Sequence, residues 1–269
     1  MENIGNNPSV LKGEKQEFSE NSRAIIFGAS GGIGLTFLKS CLVDRNFSLV
    51  IATYRDRSRA AGVFQLANQF PDRLQAVPLD VTQERDINQV PDILKSGGDS
   101  LHLAINCIGV LHEGSDFQPE KRLEQLSTEN LLHYFQVNSL PTALLADKLL
   151  PFFRHGDRSV FATISAKVGS IGDNRIGGWY GYRASKAALN MFIKTAAVEY
   201  RRRSPNTILA ALHPGTTDTH LSKPFQGNVP PEKLFSSDRT VSQLMDIIYR
   251  LNSTHSGEFF SWDGTPLPW

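Results

Sequence analysis

Apolar positions along the chain follow two alternating rhythms: short continuous runs bounded by turn residues, and longer stretches with apolar residues every third or fourth position. RAIIFG (23–28) reads as a buried strand, and GLTFLKSCLVDRN (34–46) as a helix, with Leu35, Leu38, Cys41 and Leu42 at helical spacing. SLVIATY (48–54) predicts a second strand, SRAAGVFQLANQF (58–70) a helix, and LQAVPLDV (74–81) a third strand ending at Asp80. A helix over 86–97 is interrupted near Pro91, and LHLAINCIG (101–109) is a strand with Asn106 and Gly109 at its end. NLLHYFQVNSLPTALLADKLLPFF (130–153) reads as one long helix carrying Asn138, kinked where Pro141 breaks the hydrogen-bond ladder. SVFATIS (159–165), YRASKAALNMFIKTAAVEYRRR (182–203) and TILAALHPG (207–215) give strand, long amphipathic helix and strand. A helix over 240–252 and a short strand in GEFFSWDG (257–264) close the series.

Strands alternating with helices of this length imply βαβ units, right-handed crossovers and a mostly parallel sheet covered on both faces. In such α/β sheets ligands bind beyond the carboxyl ends of the strands. The glycine loop after the first strand, Asp80, Asn106, Ser165 and Pro214-Gly215 all fall at such ends, so they converge on one rim.

Composition narrows the partners. The 269 residues carry 28 Lys and Arg against 27 Asp and Glu, a net charge of +1, so no global field recruits nucleic acid or an anionic membrane. The run Arg201-Arg202-Arg203 closes a predicted helix, where cations complement the dipole. Two cysteines, Cys41 and Cys107, suit a reducing, cytoplasmic setting, and the seven histidines never take zinc-type spacing, so no metal site is expected. Residues 1–22 form a polar leader without an apolar signal core, expected to be mobile, ahead of one domain over 23–269.

FGASGGIG places Gly28, Gly32 and Gly34 between strand and helix, where glycine permits a tight turn and close backbone approach to a pyrophosphate. The free N–H groups at the helix start favour that anion. At the second strand tip, ATYRD puts Thr53 where a ribose-binding acid is expected and Arg55 just beyond. An arginine forks onto phosphate oxygens, which favours NADP(H); Asp56 keeps NAD open.

In GWYGYRASKAALN, Tyr182 and Lys186 are spaced i,i+4 and share one helix face, whereas Tyr180 is matched by Ala184. A lysine ammonium beside a phenol lowers its pKa, one route to a proton donor working near neutrality.

Taken in order, these residues resemble the short-chain dehydrogenase/reductase family from Arg23 onward. The glycine motif matches Gly28-Ala29-Ser30-Gly31-Gly32-Ile33-Gly34, the adenine-binding aspartate matches Asp80 with Val81, and the family's NNAG matches Asn106-Cys107-Ile108-Gly109. The helix asparagine matches Asn138, the YxxxK pair is Tyr182 and Lys186, and PGxxxT matches Pro214, Gly215 and Thr219. The resemblance implies a single Rossmann-type, doubly wound α/β fold with helices on both faces, and it adds Tyr54 and Arg55 to the cofactor positions. It further implies that Lys186 hydrogen-bonds the nicotinamide ribose and that Asn138 orients a water serving Lys186. ISAKVGSIGDN and LHPGTTDTHLSKPFQGN look like the carbonyl-reductase-like branch, which includes sniffer-type reductases and C-factor signalling proteins.

Three departures stand out. Phe27 replaces the threonine that usually braces the glycine turn, and NCIG replaces NNAG. The family often shows paired serines and assigns catalysis to the second, but here the pair is Ser165-Ala166. Ser165 occupies the site through a shifted strand end, Ser170 reaches it, or the hydroxyl is absent; the expectation is Ser165.

The implied activity is NADP(H)-dependent interconversion of an aldehyde or ketone and its alcohol, with Tyr182 as general acid and base. A lid is expected over about 217–237, lining a partly apolar cleft with Leu221, Phe225 and Phe235. The alternative is an NADP-binding signalling protein with little turnover. The resemblance also implies a homodimer or homotetramer formed through the two long helices.

Overall fold

The computed structural model describes Leu11 and residues 13–269. Seven parallel strands lie in the order β3-β2-β1-β4-β5-β6-β9, the two directions of winding meeting between β1 and β4. The strands are β1 (Ser22–Phe27), β2 (Phe47–Tyr54), β3 (Leu74–Pro78), β4 (Leu103–Asn106), β5 (Ser159–Ile164), β6 (Thr207–His213) and β9 (Glu258–Ser261). Two short strands, β7 (Thr216–Thr217) and β8 (Leu234–Phe235), pair separately in the segment after Pro214. The helices are α1 (Gly32–Val43), α2 (Ala61–Gln69), α3 (Glu84–Ile87), α4 (Val90–Lys95), α5 (Thr128–Asn138), α6 (Leu140–Leu149), α7 (Tyr180–Arg203) and α8 (Ser237–Arg250).

Strand alternation divides the core. Ala24 and Ile26 of β1 face the layer of α1 and α8, while Ile25 and Phe27 face the layer holding Leu145 of α6 and Leu189 of α7. This two-faced cover is the doubly wound arrangement expected of near-continuous apolar strands.

Some boundaries depart from the sequence pattern. β3 ends at Pro78, so Asp80 lies in the loop beyond it. The expected kinked helix over 130–153 is two helices broken at Ser139, whose φ is −115° and ψ −58°. Pro141 then sits in the first turn of α6, where its missing N–H costs nothing. The Ser139 hydroxyl donates to Ser185 O at 2.7 Å, tying the break to α7.

The described part of the leader packs on the domain. Leu11 N donates to Gly264 O and Gln16 N to Tyr249 O. Phe18 is buried between the rings of Phe47 and Tyr249, with the Arg158 guanidinium 5.1 Å over its face. The polar pattern concealed this because one aromatic supplies most of the buried area. Residues 1–10 and 12 lie outside the described residues.

Among the described residues no helix is long and apolar enough to cross a membrane.

Candidate active site

The glycine loop forms a backbone crevice between β1 and α1. Gly28 and Gly32 have φ of 76° and 54°, the left-handed region that side chains resist. A Cβ on Gly28 would lie 2.8 Å from Ile108, and one on Gly32 3.2 Å from Thr219. On Gly34 it would collide with the Gly28 carbonyl. The α1 N-terminus starts from Gly31 with no side-chain cap and no acidic residue in its first turn. Its N–H groups and positive dipole end therefore suit a diphosphate, with Ser30 and Ile33 at the margins. The hydroxyl lost at Phe27 is replaced from β2: Thr53 Oγ1 accepts from Gly28 N at 3.2 Å.

Residues expected on the adenosine side divide. Arg55 is half-exposed at the β2 tip, with Nη2 4.0 Å from Glu113 Oε1. The Tyr54 ring instead packs edge-on against Phe64 in the core, and Val81 is buried beside Ile87, so neither offers a free side chain. Strand alternation turns the Tyr54 ring inward, which leaves its backbone at the strand tip. Asp80 Oδ1 accepts from Thr82 N and Oγ1, closing a local turn. Asn106 is buried, accepts from Ile108 N and donates to Thr142 Oγ1. It shapes the loop leading to Gly109.

Tyr182, Lys186 and Asn138 converge. A Cβ on Gly109 would lie 3.3 Å from Lys186 Nζ and 3.4 Å from Asn138 Oδ1. The Asn138 amide bonds both backbone groups of Val110 and the Ser185 hydroxyl, locking the β4 loop to α7. Lys186 Nζ donates to Ile164 O at 2.9 Å and stands 5.9 Å from the Tyr182 ring centre. Burial pushes the Tyr182 phenol above its ordinary value and the Lys186 ammonium down to about 8. Loss of solvent disfavours both charges and so opposes the expected acidification of Tyr182 by Lys186.

The tyrosine hydroxyls separate by their partners. Those of Tyr134, Tyr200 and Tyr249 donate to Leu111 O, Ala146 O and Asp44 Oδ2. The hydroxyls of Tyr182 and Tyr54, both in buried residues, bond no described group; of the two, Tyr182 stands beside Lys186. Tyr180 is partly exposed on the other side of the turn.

Ser165 does not join this group. Its hydroxyl donates to Asn190 Oδ1 at 2.7 Å, within the layer between β5 and α7. The strand does not shift, so alternation presents Ala166 to the cluster of Tyr134, Val137 and Tyr182. Ser170 is buried and accepts from Asp173 N. These contacts correct the expectation for Ser165.

After Pro214, Gly215 takes a φ of 71°, and a Cβ there would meet Phe235 at 2.7 Å. The chain after Gly215 then carries Thr219 to the glycine loop. Leu221 and Phe225 pack over the Tyr182 cluster, where Phe225 meets Trp179 at 5.0 Å. Phe235 turns away, against Trp262 and beneath Arg239, and does not line the cleft.

Trp179 and Glu120 were not foreseen. The GGW turn preceding Tyr182 was a signal for the first; a lone acid in a polar loop gave none for the second. Histidine spacing also missed a cluster of His102, His155 and Asp157 at the far end of the sheet. There His102 Nδ1 accepts from Arg23 N, leaving its proton on Nε2 toward Asp157, an arrangement suited to hydrogen bonding rather than metal ligation.

Comparisons with known proteins agree with this fold. The family model of the short chain dehydrogenases matches residues 22–229. C-signal of Myxococcus xanthus is 34% identical over 135 residues, 50% of this chain and 76% of that protein. A Rhodococcus 1-hydroxy-2-glutathionyl-2-methyl-3-butene dehydrogenase is 26% identical, covering 92% of this chain and 100% of its own. Among solved structures, NADPH-bound carbonyl reductase from chicken fatty liver superposes with a TM-score of 0.82 at 27% identity, covering 94% of this chain and 100% of that one. Carbonyl reductase Sniffer of D. melanogaster gives 0.80 at 25%, over 93% and 100% of the two chains. With the glycine crevice and the Tyr182–Lys186 pair standing on a matching sheet, the chain belongs to the short-chain dehydrogenase/reductase family of enzymes.

Proposed function

We propose that the protein is an NADP(H)-dependent reductase that converts an aldehyde or ketone to its alcohol, reversibly, with Tyr182 as the proton donor. The observation that carries this reading is the Tyr182 hydroxyl, which bonds no described group and stands beside Lys186 under Leu221 and Phe225, while those of Tyr134 and Tyr200 are bonded within the fold. When bound, the nicotinamide cofactor supplies or accepts the hydride. The amides of residues 32–34 and the Arg55 guanidinium are suited to its phosphates, and Asp80 to its adenosine end. The carbonyl-reductase neighbours, one of them NADPH-bound, support this choice over NAD.

Reduction builds negative charge on the substrate oxygen, and Tyr182 neutralises it by giving up its proton. Its raised pKa keeps the phenol protonated at neutral pH, as a donor requires. Lys186, charged below about pH 8, then stabilises the phenolate left behind and the ribose beside it. Asn138 holds the β4 loop and α7 together around this exchange. Leu221, Phe225 and Trp179 favour an apolar carbonyl compound of medium size. Following NADPH oxidation over a panel of aromatic aldehydes, medium-chain aldehydes, cyclic ketones and quinones tests the assignment.

Ala166 favours one second reading, an NADP-binding signalling protein, in line with the partial match to C-signal. Tight NADPH binding without turnover on that panel would select it.

Exposed Met191 and Val198 on α7, with Leu132 of α5 and Leu144 of α6, support a homo-oligomer formed through these helices. A Met191→Glu/Val198→Glu variant should sediment as a monomer; unchanged mass would reject that surface. Free Cys41 and Cys107 support a cytoplasmic location, which fractionation checks.

A further inference from the structure

We infer that Glu120 is a positioning residue for Tyr182, capping the catalytic helix from a loop 61 residues away. This rests on the reading of Tyr182 as proton donor. α7 begins without a cap of its own. Its preceding residues Gly177, Gly178 and Trp179 all have positive φ, Trp179 offers no capping side chain, and the first turn holds no acid. A helix start leaves four N–H groups to satisfy. Glu120 meets this need twice: its carbonyl oxygen accepts from Trp179 N, and Oε2 accepts from Gly181 N at 3.1 Å.

The contact is enclosed. Glu120 is 2% exposed, and its second oxygen, Oε1, is buried without a hydrogen-bond partner. A carboxylate held this way is costly to bury, and the positive end of α7 offsets that cost. Gly181 is pinched at the same point: a Cβ there would lie 3.0 Å from Glu120 Oε1 and would strike the Tyr134 ring. Tyr134 is itself fixed by its bond to Leu111 O and lies edge-on to Tyr182, ring centres 6.2 Å apart. Glu120 and Tyr134 therefore grip the residue immediately before Tyr182 from two sides. That grip sets the rotation of the first helical turn, and hence where the free hydroxyl points.

A structural cap alone would change stability; a positioning cap changes the chemical step selectively. Glu120→Ala should lower kcat about tenfold or more with 4-nitrobenzaldehyde, or with the panel carbonyl reduced fastest, because small misplacements at the reacting centre are expensive. KM should stay within about threefold and NADPH affinity within about twofold, since the glycine crevice is untouched. Glu120→Gln, whose carbonyl oxygen can accept the same bond, should recover most of kcat. Hydrogen exchange should quicken in peptides covering 179–183 but not in those covering 189–203. Unchanged kcat in Glu120→Ala, equal loss of NADPH affinity, or no recovery in Glu120→Gln would overturn the inference. Should Glu120→Ala not fold, Gly181→Ala takes its place and must show the same kcat-selective loss. If the wild type reduces no carbonyl, the functional reading fails, while unchanged exchange at 179–183 in Glu120→Ala would still defeat the capping role on its own.

Discussion

The Ser165 hydroxyl donates to Asn190 Oδ1 at 2.7 Å, and this bond holds it in the layer behind Tyr182 rather than beside it. The methyl of Ala166 takes the place nearer the phenol. Ser165→Ala should therefore cost about 1 kcal/mol of stability, the worth of one buried hydrogen bond, with kcat changed less than about threefold. Ala166→Ser should raise kcat about tenfold, since a hydroxyl there can stabilise the developing oxyanion. Steady-state kinetics on both variants decides the point; a large kcat loss in Ser165→Ala would restore that serine to the site.

Arg55 and Glu113 face each other across the mouth of the crevice at 4.0 Å, both about half exposed, so their attraction is weak and the guanidinium is available to a phosphate. Arg55→Ala should weaken NADPH about 10- to 100-fold, the worth of a charge-assisted bond, and NADH less than about threefold. Fluorescence titration with the two nucleotides measures this. Equal weakening of both would remove Arg55 from 2′-phosphate recognition.

Lys186 gives a stability signature with a definite sign. Burial lowers its folded value to about 8 from 10.5 in the free side chain. Between those limits the unfolded chain binds a proton that the folded chain does not, so this contribution to stability rises with pH. Below pH 8 both states are charged and the burial cost stands in full. Relative to Lys186→Met, the cofactor-free wild type should gain about 1 kcal/mol per pH unit from pH 8 to 10. Denaturant melts at pH 7, 8, 9 and 10 test it; a difference that stays flat or falls would contradict a buried, half-neutralised lysine.

The features legible in the sequence are those whose chemistry is local. The glycine turn, the PGxxxT segment and the Tyr182–Lys186 spacing each impose a backbone shape or a helix face on their own few residues. Ser165 was misassigned because a single step of strand alternation decides which side chain meets the cleft, and two adjacent small residues do not reveal it. Thr53 looked like a missing acid, yet it supplies the brace lost at Phe27, across 25 residues. Glu120 was silent for the same reason: its partner lies 61 residues away. The upward push on the Tyr182 pKa was not legible because spacing reports a neighbour but not burial, and Trp179, Leu221 and Phe225 pack over its cluster.

The central claim is that the Tyr182 hydroxyl delivers the proton. Tyr182→Phe removes that oxygen and little else, since it bonds no described group, so fold and NADPH affinity should match the wild type. With the best carbonyl of the panel, kcat for NADPH oxidation should fall about 10²- to 10⁴-fold. A Tyr182→Phe enzyme that binds NADPH and reduces the carbonyl at the wild-type rate would contradict the account.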